Sequence, residues 1–533
     1  MTKTEFSGKS LIGFREGTPG SKTFRASNPA TGEWLEPDFH EATPEQIDLA
    51  ARLAHEGFSV YAQTSGEKRA EFLNAIAANI EAITEQIVER ANLETALPVA
   101  RLQTEAGRTV NQLRLYAKVV AEGSWPMPRI DRADPNRKPL PKPDVRSMLR
   151  ALGPVVIFSA SNFPLAFSVA GGDTASALAA GNPVIVKAHS AHPGTSELAG
   201  EAVRKAVRSC ALPEGVFSLL FDGAITVGVS LVQHPLIKAV GFTGSTRAGR
   251  ALMNLASSRP DPIPFYGELS SANPVFVLPG AMRTRGAQIA SGLHGSFTLG
   301  AGQFCTKPGL IFVGEDQPSE DFVSVLKGKV AEGAQFSLLT KGISTEYAET
   351  ASNRKNRKDL TVVAEGAPAT NNPFAAGAAL YQTDISSFMA SPELSEEHFG
   401  PSTLLIRFKS KAQILEAARR LKGHLTATIH GTEDDLHEFP ELIAILETKV
   451  GRILFNGFPT GVEVCHSMVH GGPYPATTDS RTTSVGTQAI FRFVRPVCYQ
   501  DFPDSALPAE LRNANPLGVW RMVNGEMTKE QLQ

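Results

Sequence analysis

The sequence predicts an α/β protein built on parallel sheets, and three observations carry that prediction. Short apolar runs at Val155–Phe158, Pro183–Val186, Val216–Leu220 and Ile237–Phe242 alternate with helix-like stretches. Most of these runs are followed by a loop rich in Gly, Ser or Pro, which is the pattern of βα units on a parallel sheet. A second alternating region starts near Asn273 and continues to about Asn456. At 533 residues the chain also exceeds one compact core, so two or more domains are expected.

Taken in order, the first 125 residues read as mostly helical. Thr43-Pro44-Glu45-Gln46 has a capping-box pattern, with Pro at the first helical position. Apolar residues recur at helical spacing through Ala62, then over about Glu67–Ala91 and Pro98–Ala121. Residues 126–143 hold six prolines among several charges and read as a linker or edge element. The βα rhythm follows. Doubly wound sheets bind ligands at the carboxyl ends of their strands, so a nucleotide site is expected in the loops after the apolar runs. In the second region, helices are expected near 281–298, 319–333 and 410–421. Phe491-Arg492-Phe493-Val494 reads as a strand, and an irregular stretch runs from there to Gln533. There is no internal repeat.

Composition excludes several classes. The chain carries 52 basic and 54 acidic residues for a net charge of −2, so nothing points to nucleic acid or a membrane surface. The segment Met1–Arg15 lacks the apolar core of a signal peptide, and no apolar run is long enough to cross a bilayer. The four cysteines Cys210, Cys305, Cys465 and Cys498 are scattered, with no CxxC pair. A disulfide framework is therefore not expected, and a reducing cytoplasm is.

Individual residues then invite chemistry. Cys305, in Gly302-Gln303-Phe304-Cys305, suits a nucleophile if it is partly exposed with a lowered pKa, and Gly302 would let backbone approach a substrate. Taken alone, such a cysteine is more often a buried core thiol than a nucleophile. Glu268 follows an apolar stretch and a Gly; half-buried at a strand end it would have a raised pKa and act as a base. Asn162, just after the first apolar run, offers an amide to a developing oxyanion, or a turn cap. Lys187 ends the second run with Ser190 three residues on, in reach of a ribose or phosphate. Phe242-Thr243-Gly244-Ser245 opens a helix, where backbone N–H groups suit a pyrophosphate. His466 and His470 are four apart, but Gly471-Gly472-Pro473 breaks a helix there, so no metal is expected. No histidine is recognisably placed near Cys305 by the sequence.

In this order, Asn162-Phe163-Pro164, Val186-Lys187, Phe242-Thr243-Gly244-Ser245, Glu268-Leu269, Gly302-Gln303-x-Cys305 and Glu397-His398-Phe399-Gly400-Pro401 resemble the aldehyde dehydrogenase superfamily over roughly residues 25–500. The resemblance implies the aldehyde dehydrogenase fold: a Rossmann-like cofactor domain (1–130 and 151–272), an α/β catalytic domain (273–475), and a small β oligomerisation element with a C-terminal tail (131–150 and 476–533). It implies NAD(P)+-dependent oxidation of an aldehyde to a carboxylic acid through a cysteine thioester. Cys305 matches the nucleophile, Glu268 the base that activates the deacylating water, and Asn162 the oxyanion donor. Lys187 matches the adenosine-ribose lysine and Ser245, beside Gly244, the pyrophosphate contact. Glu397 matches the acid on the nicotinamide ribose, with Phe399 and Leu269 packing near that ring. The strand near Phe491–Arg495 matches one that joins a neighbouring subunit, so a homodimer or homotetramer is implied.

The departures narrow the reading. Ser270-Ser271 stand where many members have Gly-Gly, and Ser190 stands where many NAD-specific members have Glu. Loss of that carboxylate removes repulsion against a 2′-phosphate and favours NADP+ over NAD+. Val469-His470-Gly471-Gly472-Pro473-Tyr474, with Lys187-Ala188-His189, resembles the branch that holds α-ketoglutaric semialdehyde (2,5-dioxopentanoate) dehydrogenases and a fatty aldehyde dehydrogenase of luminous bacteria. Matching the third helix places Arg108 in the aldehyde tunnel, with Gln112 one turn on. A buried arginine needs an anion, and a substrate carboxylate suits it; an Arg108–Glu105 surface pair is the alternative. Phe163, Leu299 and Phe304 match further tunnel positions. The expected substrate is α-ketoglutaric semialdehyde, with a broad or fatty aldehyde as the alternative. A CoA-acylating member, a catalytically idle member and a cysteine hydrolase are the rivals.

Overall fold

The computed structural model describes residues 6–367 and 372–532. The apolar runs form a seven-stranded sheet. Its five parallel strands lie in the order Phe265–Glu268, Ala239–Thr243, Val155–Phe158, Val184–Lys187 and Phe217–Leu220, and Leu11–Ile12 and Arg15–Glu16 extend it antiparallel. Strands such as Val155–Phe158 are apolar throughout and buried at every position, because helices cover both faces of a parallel sheet.

The covering helices include Pro44–Tyr61, Gly66–Ala82, Thr84–Thr95 and Val99–Glu122. Thr43 caps the first as expected: its hydroxyl accepts the Gln46 N–H, and the Gln46 side chain accepts the Thr43 N–H. The stretch expected as one helix over Glu67–Ala91 is two. Ile83 leaves helical geometry (φ −113°, ψ 17°), and the Thr84 hydroxyl donates back to the Ile80 carbonyl at the end of the preceding helix. Among the described residues before 44 there is no helix: Thr23–Ser27 pairs antiparallel with Trp34–His40.

The second region forms another seven-stranded sheet in the order Thr361–Glu365, Ala379–Asp384, Ser402–Phe408, Leu310–Gly314, Pro274–Val277, His424–His430 and Val450–Phe455. It is parallel except at its Thr361–Glu365 edge. Helices Pro279–Thr298, Gln317–Ala331 and Lys411–Arg420 fall where periodicity placed them. Stacked Phe276 and Phe312 rings, 4.7 Å apart, mark its core.

A third sheet of five strands has the order Val494–Gln500, Val145–Ala151, Arg129–Asp131, Arg521–Val523 and Glu526–Thr528. Its outer strand starts at Val494, not Phe491. Thr487–Phe493 coils as 3-10 turns in which Ile490, Arg492 and Phe493 are buried, and Arg492 pairs with Asp173. The stretch after it, expected to be irregular, contains two of these strands. Leu507 and Leu511 pack on Ile130 and Met148, and fully buried Arg521 donates to the carbonyls of Asn513 and Glu530. Among the described residues, no helix is long and apolar enough to cross a membrane.

The tail is thus part of the folded sheet. Leu511→Ala, at a site with no exposed surface, should cost about 2–4 kcal/mol and lower the thermal midpoint. An unchanged midpoint in calorimetry would show that the tail is dispensable.

Candidate active site

All five parallel strands of the first sheet end at one cavity of about 590 Å³. Asn162, Glu268 and Cys305 line its inner part. Lys187, Gly244, Ser245, Leu269, Glu397 and Phe399 line the remainder. Ser190 is half-buried and is not part of the wall; His189, one residue earlier, is.

Cys305 follows the turn Leu299–Gly302, in which Gly300, Ala301 and Gly302 all have positive φ (57°, 59° and 66°). A Cβ on Gly302 would lie 2.2 Å from the Gly400 carbonyl oxygen. The glycine is needed there, but for contact with the Glu397–Pro401 loop rather than with a substrate. The Asn273 amide donates to the carbonyls of Cys305 and Lys307 at 2.8 and 2.9 Å, fixing the nucleophile's backbone.

The half-buried Cys305 Sγ lies 3.4 Å from His470 Nε2. The same nitrogen is 3.0 Å from Glu268 Oε1, and Ser484 Oγ donates to Glu268 Oε2 at 2.7 Å. Residues 470–484 fold over the strand end, with Leu269 N–H donating to the Ala476 carbonyl. Burial alone would raise the Glu268 pKa. The charge and hydrogen bond of His470 and the Ser484 hydroxyl outweigh it, so the net shift is downward. Burial first, and Glu268 second, push the Cys305 thiol well above its ordinary value. Both directions reverse the expectation from sequence. The cause is the same: the acid has donors, and the thiol faces the acid. The resting pair is a neutral thiol beside a carboxylate.

Asn162 donates one amide N–H to the Gln303 carbonyl at 3.0 Å, which anchors it beside the cysteine turn. Phe163, Phe304 and Phe167 form an edge-to-face cluster, with centroids 5.1 and 5.2 Å apart. Arg101 lies over Phe163 and Phe304, and Arg108 over Phe167 at 5.2 Å. The Nε and Nη2 groups of Arg108 and the Nε2 group of Gln112 are buried without hydrogen-bond partners among the described residues. No ion pair joins Arg108 to Glu105, whose Oε1 accepts the Leu165 and Ala166 N–H groups instead. Leu299 is 50% exposed. The reversal through Gly300 and Ala301 leaves it outside the aromatic cluster, against its expected tunnel position.

At the other end, Lys187 Nζ is 4.0 Å from buried Asp222. Ser245 caps the helix Thr246–Ser257 at an exposed N-terminus, which suits a phosphate. Ser270 is tied to that terminus: the Thr246 N–H donates to the Ser270 hydroxyl, and the Ser270 N–H to that of Thr246, both at 3.3 Å. Ser271 is occupied elsewhere, donating to Asn273 Oδ1 at 2.8 Å. Glu397 is raised to about 7 by burial, and Lys307 is lowered to about 7 by burial. The Lys307 ammonium donates to the His398 and Ser402 carbonyls at 2.7 and 2.9 Å.

The profile described as "Aldehyde dehydrogenase family" matches residues 14–482. The chain belongs to the aldehyde dehydrogenase family. It is 48% identical to alpha-ketoglutaric semialdehyde dehydrogenase 2 of Azospirillum brasilense, an alignment spanning 98% of this chain and 99% of that protein. It is 45% identical to alpha-ketoglutaric semialdehyde dehydrogenase of Acinetobacter baylyi, spanning 99% and 100%. In fold it resembles an NAD+ complex of aldehyde dehydrogenase from Bacillus cereus, with a TM-score of 0.79 at 21% identity over 92% of this chain and 96% of that one. The enzyme is therefore an oxidoreductase that takes an aldehyde to its acid with a nicotinamide cofactor.

For this aldehyde dehydrogenase, two site residues escaped the sequence reading. His470 was read only as a metal candidate, and no histidine was expected near Cys305. Its contacts to Cys305 and Glu268 span 165 and 202 residues, which no local pattern reports. Lys307, two residues after the nucleophile, drew no reading from the sequence, yet it is 1% exposed.

Alkylation of Cys305 in the resting enzyme should accelerate steadily as pH rises above neutrality, since the thiolate is scarce. Glu268→Gln removes a negative neighbour and should move that profile to lower pH; a shift upward contradicts the arrangement. Lys307→Met should raise KM for the dinucleotide on the order of tenfold, the loss expected for a buried charged donor, with a smaller change in KM for aldehyde. Equal changes in both would place Lys307 outside the cofactor loop's support.

Proposed function

We propose that this enzyme oxidises α-ketoglutaric semialdehyde to 2-oxoglutarate, with Cys305 as nucleophile, Glu268 as base and Asn162 as oxyanion donor. NADP+ is favoured over NAD+. One observation carries the substrate assignment: Arg108 presents buried, unpartnered N–H groups beside the phenylalanine cluster. A guanidinium in that state accepts a carboxylate through paired hydrogen bonds. The names of the two relatives above support the same substrate.

The chain's own groups account for the acyl chemistry. The Cys305 thiol faces the Glu268 carboxylate, which takes its proton and passes it to solvent, while His470 Nε2–H donates to Oε1 of that acid at 3.0 Å. The sulfur then adds to the aldehyde carbon. The second N–H of the Asn162 amide, with the Cys305 N–H, takes the oxyanion, an arrangement worth roughly 3–4 kcal/mol where single donors have been removed. A bound nicotinamide dinucleotide supplies the hydride acceptor; the cavity's size and its Lys187, Ser245 and Glu397 walls fit one. Glu268, backed by His470 and Ser484, takes the proton of the water that opens the thioester.

Support for NADP+ is the absence of a carboxylate at Ser190 and the cation of Lys187 in the cavity wall. Since Ser190 stays out of that wall, the argument rests on the missing repulsion and not on a new contact. We assign 1–130 and 151–272 to cofactor binding, 273–475 to the catalytic domain, and 131–150 with 476–533 to oligomerisation. The exposed edge strand Val494–Gln500 is the one that would pair with a second copy. The phenylalanine cluster equally suits an apolar aldehyde, which keeps a fatty substrate as the second reading.

A steady-state panel of α-ketoglutaric semialdehyde, succinic semialdehyde and a long-chain aldehyde against NAD+ and NADP+ tests the assignment. The first should show the highest kcat/KM; comparable values for all three overturn it. Arg108→Met should raise KM for the semialdehyde by about 10- to 100-fold, as loss of a charged hydrogen bond does, and leave the long-chain aldehyde unaffected. Equal losses on both would remove Arg108 from substrate recognition.

A further inference from the structure

Cys305, His470 and Glu268 do more than face one another. One ligand atom from each lies within 4.8 Å of the other two. The Sγ–Nε2 and Nε2–Oε1 separations are 3.4 and 3.0 Å. Ligands around a tetrahedral zinc ion, at bond lengths of about 2.0–2.3 Å, sit roughly 3.3–3.6 Å apart. The three donors are thus close to a zinc face before any ion arrives, and two of them, Cys305 and Glu268, line the cavity. The donor set is one sulfur, one imidazole nitrogen and one carboxylate oxygen. That set suits Zn2+ and Co2+ and does not suit the all-oxygen ions Mg2+ and Ca2+.

We propose that the catalytic centre doubles as a binding site for a single divalent zinc-like cation, held by Cys305 Sγ, His470 Nε2 and Glu268, whose occupancy reversibly silences the enzyme. The ion replaces the thiol proton: one Zn–S bond forms, one S–H bond breaks, and one proton goes to solvent. The imidazole coordinates as the neutral ring: the hydrogen that Nε2 gives to Glu268 in the resting site moves to Nδ1, which has no partner among the described residues, so the ring's proton count is unchanged. No oxidant or reductant takes part. The thiolate and the carboxylate together match the charge of the ion, and Arg108 and Arg452 are the cations that act on Cys305. Ser484, donating to the other oxygen of Glu268, keeps that carboxylate aimed. The fourth position stays open for water. In this state the sulfur is unavailable to an aldehyde, while the Lys187 and Ser245 end of the cavity is untouched.

The test uses Co2+ as the spectroscopic probe and Zn2+ as the inhibitor, on the full chain. One equivalent of Co2+ should produce a near-ultraviolet thiolate-to-cobalt band, absent in Cys305→Ser. Zn2+ should abolish turnover competitively with aldehyde, EDTA should restore it, and Mg2+ should do nothing. His470→Asn and Glu268→Gln should each weaken Co2+ binding at least tenfold, with dinucleotide binding as the check on folding. A Cys465→Ser/His466→Asn chain should bind Co2+ like the parent. Because the band needs no aldehyde, its presence or absence is independent of the substrate assignment. The proposal is overturned by a band that survives Cys305→Ser. It is also overturned by Co2+ affinity unchanged in whichever of His470→Asn and Glu268→Gln still binds the dinucleotide, since a bare thiol would then be the whole site.

Discussion

A carboxylate placed at the buried end of a parallel strand must be answered by its neighbours or it does not stay ionised. Glu268 is 3% exposed, and losing water around a charge is costly unless hydrogen bonds replace it. His470 and Ser484 supply those bonds from a segment some 200 residues away in sequence. That one requirement organises much else. It draws residues 470–484 across the strand end, it sets the imidazole against the sulfur of Cys305, and it holds an anion where the thiol feels it. Breaking a buried pair by removing one partner typically costs about 3–5 kcal/mol, so the constraint is structural as well as chemical.

The nucleophile itself is positioned by backbone. Gly302 meets Gly400 at a distance no Cβ allows, Asn162 grips the Gln303 carbonyl, and Asn273 grips those of Cys305 and Lys307. Lys307 then reaches across to the carbonyls of His398 and Ser402. The turn that bears the sulfur and the loop that bears Glu397 are thereby one rigid piece. A shift at either end moves the other, so the thiol and the Glu397 side of the cavity keep their spacing. Catalysis of this kind depends on such spacing, because a reacting pair must be held about 3–3.5 Å apart.

The sequence was legible where chemistry is local. Four of the five parallel strands announced themselves as apolar runs, Thr43 as a cap, and the residues at strand ends by their order along the chain. Asn162, Lys187, Glu268 and Cys305 all fall on one cavity for that reason. What stayed hidden depends on distant partners. His470 lies in an irregular stretch with no period to read. Ser190 and Leu299 occupy expected sequence positions, yet neither lines the cavity, and Leu299 is exposed. The pKa directions failed because burial was weighed without the neighbours. For Glu268 the hydrogen bonds prevail over burial, and for Cys305 the charge of Glu268 adds to it.

Charge near the aldehyde end gives the remaining argument. Arg101 and Arg108 stand two turns apart on the helix Val99–Glu122, with Glu105 between them. Arg101 donates to the Asn162 carbonyl at 2.7 Å and stacks on two phenylalanines. Glu105 already serves two backbone N–H groups through Oε1. The unpaired N–H groups of Arg108 mark where a further anion would be received. A plain alkyl aldehyde would leave those donors buried and unanswered, at about 1–3 kcal/mol for each. A substrate with a carboxylate a few carbons from its aldehyde answers them and, by the same reach, sets its carbonyl against the sulfur. Selectivity on this account comes from an unfilled need in the protein more than from the fit of its apolar walls, because such walls separate homologous chains by only about 1–3 kcal/mol per methylene.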